Sequence, residues 1–269
     1  MKKKHFAKLS GALVAAVMAV AAMAPLAQAT TPAPGYTQFA GCPSPAENSI
    51  ITSCIRSVVK KGSIVKLGNK EVPIENPITL SGGIDENSQN FAANAQGGLT
   101  PVKQKVPGGV IGLTGLTWLV EFLGSEALTL YAVTEAAGLP NIKNLQELSL
   151  PVRVHLINGA LGNNCYIGSF TSPIVFNLTT GTSGKLVGKP GEITFQESPE
   201  ILFEKNGKYV DGTFAAPGAN GCVLTLFGFI PISINGLVNS SSGLPAASGT
   251  NSTTQLIDTE VAGRDVVYP

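Results

Sequence analysis

Four cysteines and a single histidine beyond residue 29 are the residues of this chain best suited to covalent or metal chemistry. Cys42, Cys54, Cys165 and Cys222 form an even set, which in an oxidising compartment reads as two disulfides. Three pairings exist on paper. Proximity favours Cys42 with Cys54 and leaves Cys165 with Cys222, although spacing alone does not decide connectivity. Loops of these lengths contribute roughly 3 and 4 kcal/mol in the chain-entropy picture. A zinc site needs close cysteine pairs or several histidines, so no metal is expected. A Ser-His-Asp arrangement would have to use His155, yet no Gly-x-Ser-x-Gly turn is present. Val152, Val154 and Leu156 alternate with Arg153 and His155, which places the histidine on the polar side of a strand as a solvated or hydrogen-bonded residue. Glu121, Glu126, Glu135, Glu192, Glu197 and Asp211 are available for glycoside hydrolysis by paired carboxylates. Nothing in their spacing separates them from ordinary surface acids. Asp85 and Glu86 with Asn87 and Asn90 offer oxygens to calcium but lack the alternating ligand pattern of a calcium loop. The glycine-rich run at 181–185 lacks the spacing of a phosphate loop. No cofactor is expected.

The first 29 residues set the expected compartment. Lys2, Lys3, Lys4 and Lys8 precede an apolar stretch at 11–23, and Ala27-Gln28-Ala29 supplies small residues for cleavage, the pattern of a secretory signal peptide. Thr30, and not a cysteine, follows, which argues against a lipid anchor. Removing four of the 18 basic residues leaves 14 against 17 acids, a net charge of about −3. Such a charge-poor chain neutralises few phosphates, so nucleic acid is not an expected partner. After the leader no apolar run approaches the roughly 18 residues that a membrane span requires. The expected location is secreted and extracellular, either free or held at the cell surface.

Residues 30–269 must then supply the scaffold that positions these groups. Their dominant signal is period-two alternation broken by Gly and Pro, which predicts an all-β, antiparallel β-sandwich. One domain over 30–269 and two packed sub-sandwiches at 30–140 and 141–269 both fit the pattern. Strands are expected at 63–67 and 70–74 around Gly68-Asn69, with Pro73 marking an edge. Others are expected at 78–81, 128–135, 152–157, 174–180, 192–196, 222–227, 230–234 and 253–261. Asn206-Gly207 predicts a hairpin between 201–205 and 208–211. Residues 81–105 and 239–254 read as polar loops. Leu116, Trp118, Leu119, Phe122 and Leu123 have helical spacing within an uncharged region, which predicts one short helix or apolar loop at 116–123. That segment either plugs the sandwich or offers an apolar contact surface.

The stretch Leu150-Pro151-Val152-Arg153-Val154-His155-Leu156 is followed by Leu161-Gly162-Asn163-Asn164-Cys165-Tyr166-Ile167-Gly168-Ser169. With Pro173-Ile174-Val175 and Phe214-Ala215-Ala216-Pro217-Gly218-Ala219-Asn220-Gly221-Cys222, it resembles a group of actinobacterial secreted proteins of unknown function. The resemblance implies no substrate, cofactor or catalytic residue. It places Cys165 and Cys222 in matching motifs, which fits a bond between them.

The residues favour a non-enzymatic envelope or extracellular module that binds a surface polymer, another protein or copies of itself. The alternative is a carrier or surface-active protein that holds apolar material through residues 106–123. A secreted hydrolase is a third reading, resting only on how often exported proteins are enzymes.

Overall fold

The computed structural model describes residues 30–117, 128–226 and 230–269. Alternating apolar and polar residues make almost all of it strand. The first group is β1 (Ser53–Val59), β2 (Ser63–Leu67), β3 (Lys70–Ile74), β4 (Ile78–Asp85), β5 (Asn90–Ala92), β6 (Gly98–Leu99) and β7 (Lys103–Lys105). After the helix α1 (Gly109–Thr114) come β8 (Tyr131–Ala136), β9 (Asn141–Asn144), β10 (Glu147–Ile157), β11 (Tyr166–Ile167) and β12 (Ile174–Thr179). There follow β13 (Thr182–Ser183), β14 (Leu186–Val187), β15 (Glu192–Glu197), β16 (Glu200–Asp211), β17 (Ala219–Asn220), β18 (Val223–Leu226) and β19 (Ile230–Ser233). The chain ends with α2 (Asn235–Ser242), β20 (Ser252–Gly263) and α3 (Arg264–Val267). Among the described residues no helix is long and apolar enough to cross a membrane.

The fold is all-β and antiparallel, but the sandwich expectation is corrected: eight strands close into a barrel. In ring order they are β16, β12, β10, β9, β5, β4, β1 and β20, and β20 pairs back with β16. Closure follows from three long strands that change partners along their length. β20 pairs with β2 at residues 252–254 and with β1 at 257–263, while β16 runs along its other edge. β10 passes likewise from β9 to β8. Register shifts at Glu147/Leu148 and Glu204/Gly207 let the strands bend, as β-bulges do where a sheet curls.

The same strands continue into a second lobe. Here β3, β2, β20, β16, β12, β10, β8 and β7 follow one another, and the open seam lies between β7 and β3, which share no backbone ladder. Gln104 bridges that seam with its side chain. Its Oε1 accepts from the backbone N–H groups of Glu75 at 2.9 Å and Asn76 at 3.0 Å, and its Nε2 donates to the Asn76 carbonyl at 2.7 Å. Asn76 Nδ2 adds a bond to the Lys103 carbonyl. A fully buried glutamine thus substitutes for a missing strand pair. Replacing Gln104 with alanine should leave three backbone groups of the exposed Glu75 and Asn76 without their side-chain partner and cost about 1–3 kcal/mol. Urea unfolding measures the loss, and amide exchange should accelerate first at Glu75 and Asn76.

Several local expectations meet a different outcome. Asn206-Gly207 makes no hairpin, because β16 runs on through it and the positive φ of Asn206 serves a bulge whose N–H donates to Asp258 Oδ1. The turn at Gly68-Asn69 does form, and Pro73 lies on β3 at the end of the strand order. Residues 81–105 are not a long loop but continue β4 and add β5, β6 and β7. A short helix forms at 109–114, ahead of the segment 116–123 expected to be helix or apolar loop, and 118–123 of that segment lie outside the described residues. Gly108 and Gly115 stand in the left-handed region at its two ends, and a Cβ on Gly109 would lie 2.4 Å from the Leu128 carbonyl oxygen. Leu116 packs, partly buried, against the main core. Trp118, Leu119, Phe122 and Leu123 lie outside the described residues, as do residues 1–29.

Both disulfides are formed, Cys42 with Cys54 and Cys165 with Cys222. The first belongs to a cluster with Tyr36, Phe39 and Tyr268 that pins the segment before β1 to the end of the barrel. The second lies in the main core.

Candidate functional site

The second lobe is not filled. On β2, Val65 and Leu67 line it; on β3, Lys70, Val72 and Ile74 do so at every second position. Ala132 and Thr134 of β8, Val154 and Leu156 of β10, Ile167 of β11 and Phe176 of β12 supply the opposite wall. Leu113 of α1, with Ser242 and Leu244 at the end of α2, roofs it. The void measures about 50 Å³. Protein interiors normally leave few voids larger than a water molecule, so a chamber of this kind calls for an explanation.

Two polar groups stand out on this apolar lining. Lys70 is its only charged residue. Ser242 is 1% exposed, and its hydroxyl is the only buried side-chain polar atom without a hydrogen-bond partner among the described residues. The two are brought together by the β2–β3 turn, where the Asn69 N–H donates to the Ser242 carbonyl at 2.9 Å. A Cβ on Gly68 would lie 2.1 Å from that same carbonyl oxygen, so glycine is required for the turn to reach α2.

The buried acids are occupied elsewhere. Asp211 is fully buried; its Oδ1 accepts from Ser183 Oγ, Thr213 N–H and Thr213 Oγ1, and its Oδ2 from Asn177 N–H at 2.7 Å. Glu204 accepts from Gly191 N–H at 2.8 Å and from the Tyr209 hydroxyl at 2.6 Å. The Tyr209 hydroxyl also contacts the Leu145 carbonyl. Burial, and then the Glu204 carboxylate, push the Tyr209 phenol well above its ordinary range. Burial does the same to Tyr268, with a smaller push from Glu47. A phenol held neutral in the fold ionises near pH 10 once unfolded, so the unfolded chain binds fewer protons above that pH. These phenols therefore add no pH dependence below about pH 10, and stability is expected to fall as pH rises further. In a spectrophotometric titration, Tyr209 should ionise only together with unfolding, and Tyr268 at higher pH than an exposed phenol.

The groups considered for catalysis are arranged against it. His155 Nε2 donates to the Asn163 carbonyl at 3.1 Å, so the nitrogen that a serine would need is engaged. Its Nδ1 lies 3.3 Å from Glu135 Oε1. Arg153 holds Glu135 through two nitrogens, at 2.7 and 3.0 Å, and stacks between Tyr166 and Phe170. His155 stacks on Tyr166 at 4.3 Å. These residues form a surface knot on the outer face of β10. Glu192 and Glu197 lie on the exposed strand β15, and Glu121 and Glu126 fall outside the described residues. Asp85 caps its own turn: Ser88 Oγ and then Asn87 N–H hold its carboxyl below the usual range. No cluster of three or more potential metal ligands occurs among the described residues.

Sequence reasoning missed Lys70, Gln104 and Ser242. The alternation of Lys70 with Val72 and Ile74 was the available signal for the first, since it puts a cation on an apolar face. No protein-family model, curated protein or solved structure matches this chain. The site therefore stands on its own chemistry.

Proposed function

We propose that the protein is an exported, non-catalytic binding protein that holds a small apolar guest in the chamber of its second lobe. The observation that carries this reading is a void walled mostly by aliphatic and aromatic side chains between the strands of the second lobe. Two disulfides suit an oxidising space outside the cell, and the leader-like residues 1–29 and the resemblance to actinobacterial secreted proteins support the same location. His155, Asp211 and Glu204, each tied into structural hydrogen bonds, argue against a hydrolase.

The test uses the full chain in a host that exports proteins. Protein recovered from the medium should begin at Thr30. Adding 1-hexanol at ten times its dissociation constant should stabilise it by about 1.4 kcal/mol in urea unfolding. Intracellular retention of the unprocessed chain would contradict export. Unfolding curves indifferent to 1-hexanol would contradict the apolar guest.

A second reading, binding to another protein or to itself, is favoured by β15. This edge strand exposes Ile193 at 54% and Phe195 at 61%. Sedimentation of the wild type against Phe195→Lys tests it, because self-association through this edge should disappear in the variant.

A further inference from the structure

We infer that the guest is a short-chain carboxylate, with its alkyl tail in the chamber and its carboxylate held by Lys70 and the Ser242 hydroxyl. This rests on the reading of the chamber as a ligand site. An apolar void by itself selects nothing beyond apolarity, so the selective information lies in the polar groups of its lining; Gln104 is committed to the seam, and Lys70 supplies the charge and Ser242 the unpartnered hydroxyl. Ser242 is buried with its hydroxyl unpartnered, a state that costs free energy unless something in the chamber supplies a hydrogen bond. Its hydroxyl can donate to an oxygen. Lys70 lies on the inward face of β3, one residue from the Asn69 N–H that holds the Ser242 carbonyl. No ion pair of Lys70 occurs among the described residues. A lysine and a hydroxyl donor on the lining of an apolar pocket, joined through the β2–β3 turn, match an anion with oxygen acceptors and an apolar tail.

The size of the void sets the length of the tail. One water needs about 10–15 Å³ on this measure, so about 50 Å³ accommodates roughly three to five water-sized groups. That corresponds to the alkyl portions of butanoate to hexanoate. A competing explanation of Lys70 is edge protection, since inward-pointing charges discourage edge strands from pairing with other chains. The two explanations differ in whether the cation improves the binding of an anion.

The experiment titrates the processed full-length chain with linear carboxylates from acetate to decanoate, and with 1-hexanol and hexylammonium, by ligand-observed NMR. Affinity should rise about fourfold per methylene up to about hexanoate and then level off. Hexanoate should bind about tenfold more tightly than 1-hexanol, and hexylammonium least. Lys70→Gln should cost hexanoate about tenfold and leave 1-hexanol unchanged. Ser242→Ala should weaken both hexanoate and 1-hexanol several-fold, while folding stability holds or rises because an orphaned hydroxyl is removed. Equal binding of hexanoate and 1-hexanol, with Lys70→Gln silent, would overturn the inference and leave the chamber reading intact. So would a silent Ser242→Ala, which would mean that the hydroxyl is merely hydrated, or a destabilised one, which would mean that it has a partner in the protein. If neither 1-hexanol nor any acid binds, the chamber reading itself fails.

Discussion

Asp211→Ala is expected to lower folding stability by about 3–5 kcal/mol, among the largest effects of any single substitution in this chain. The carboxylate is fully buried and accepts four hydrogen bonds, from Asn177, Ser183 and twice from Thr213. These donors come from β12, β13 and the turn after β16, so one side chain ties three segments together. Removing it leaves the buried Ser183 hydroxyl without an acceptor, at about 1–3 kcal/mol, frees the donors of the more exposed Asn177 and Thr213, and breaks a network on a fully buried charge, a loss of about 3–5 kcal/mol in all. Asp211→Asn separates charge from geometry. It keeps one acceptor oxygen but turns an NH₂ toward a donor, so it should lie between the wild type and the alanine variant. Urea unfolding measures both, and a loss below about 1 kcal/mol for Asp211→Ala would show that water replaces the carboxylate without difficulty.

Breaking the Cys165–Cys222 bond should cost about 4 kcal/mol, within the 2–5 kcal/mol usual for native disulfides. The bond closes a loop of 57 residues and lies wholly inside the main core, whereas the Cys42–Cys54 loop spans 12 and belongs to the cluster at the barrel end. Cys165→Ser with Cys222→Ser should therefore lower the midpoint of global unfolding. Cys42→Ser with Cys54→Ser should loosen the segment around Phe39 first, and proteolysis should cut there before the barrel opens. Equal global losses for the two pairs would contradict this division.

How much of this was visible in the sequence depends on the range of the interaction concerned. The β2–β3 hairpin was legible because Gly68-Asn69 and the flanking alternation are adjacent, and β20 because Thr253, Gln255, Ile257 and Thr259 bury one face without interruption. The barrel was not legible. Sandwich and barrel have the same alternation, and closure depends on β16 meeting β20 some fifty residues later, for which no local residue codes. Asn206-Gly207 misled for a related reason: a positive φ suits a bulge as well as a turn, and only the partner strand decides which forms. The helix at 109–114 runs against glycine's propensity, because Gly108, Gly109 and Gly115 answer to close contacts and left-handed termini. In the chamber, Lys70 could be read from its alternation with Val72 and Ile74. The isolation of the Ser242 hydroxyl could not, since it is a property of what α2 packs against.

The central claim is that the chamber is room for a guest and not a lapse in packing, and Ala132→Leu tests it most directly. Ala132 is buried on the chamber wall, so a leucine there places its extra carbons in the void. If the space is truly open, unfolding in urea should show stability held or raised, and 1-hexanol should lose at least tenfold in affinity for the variant. A loss of about 1–3 kcal/mol, the usual cost of overpacking a filled core, with 1-hexanol binding unchanged, would contradict the account.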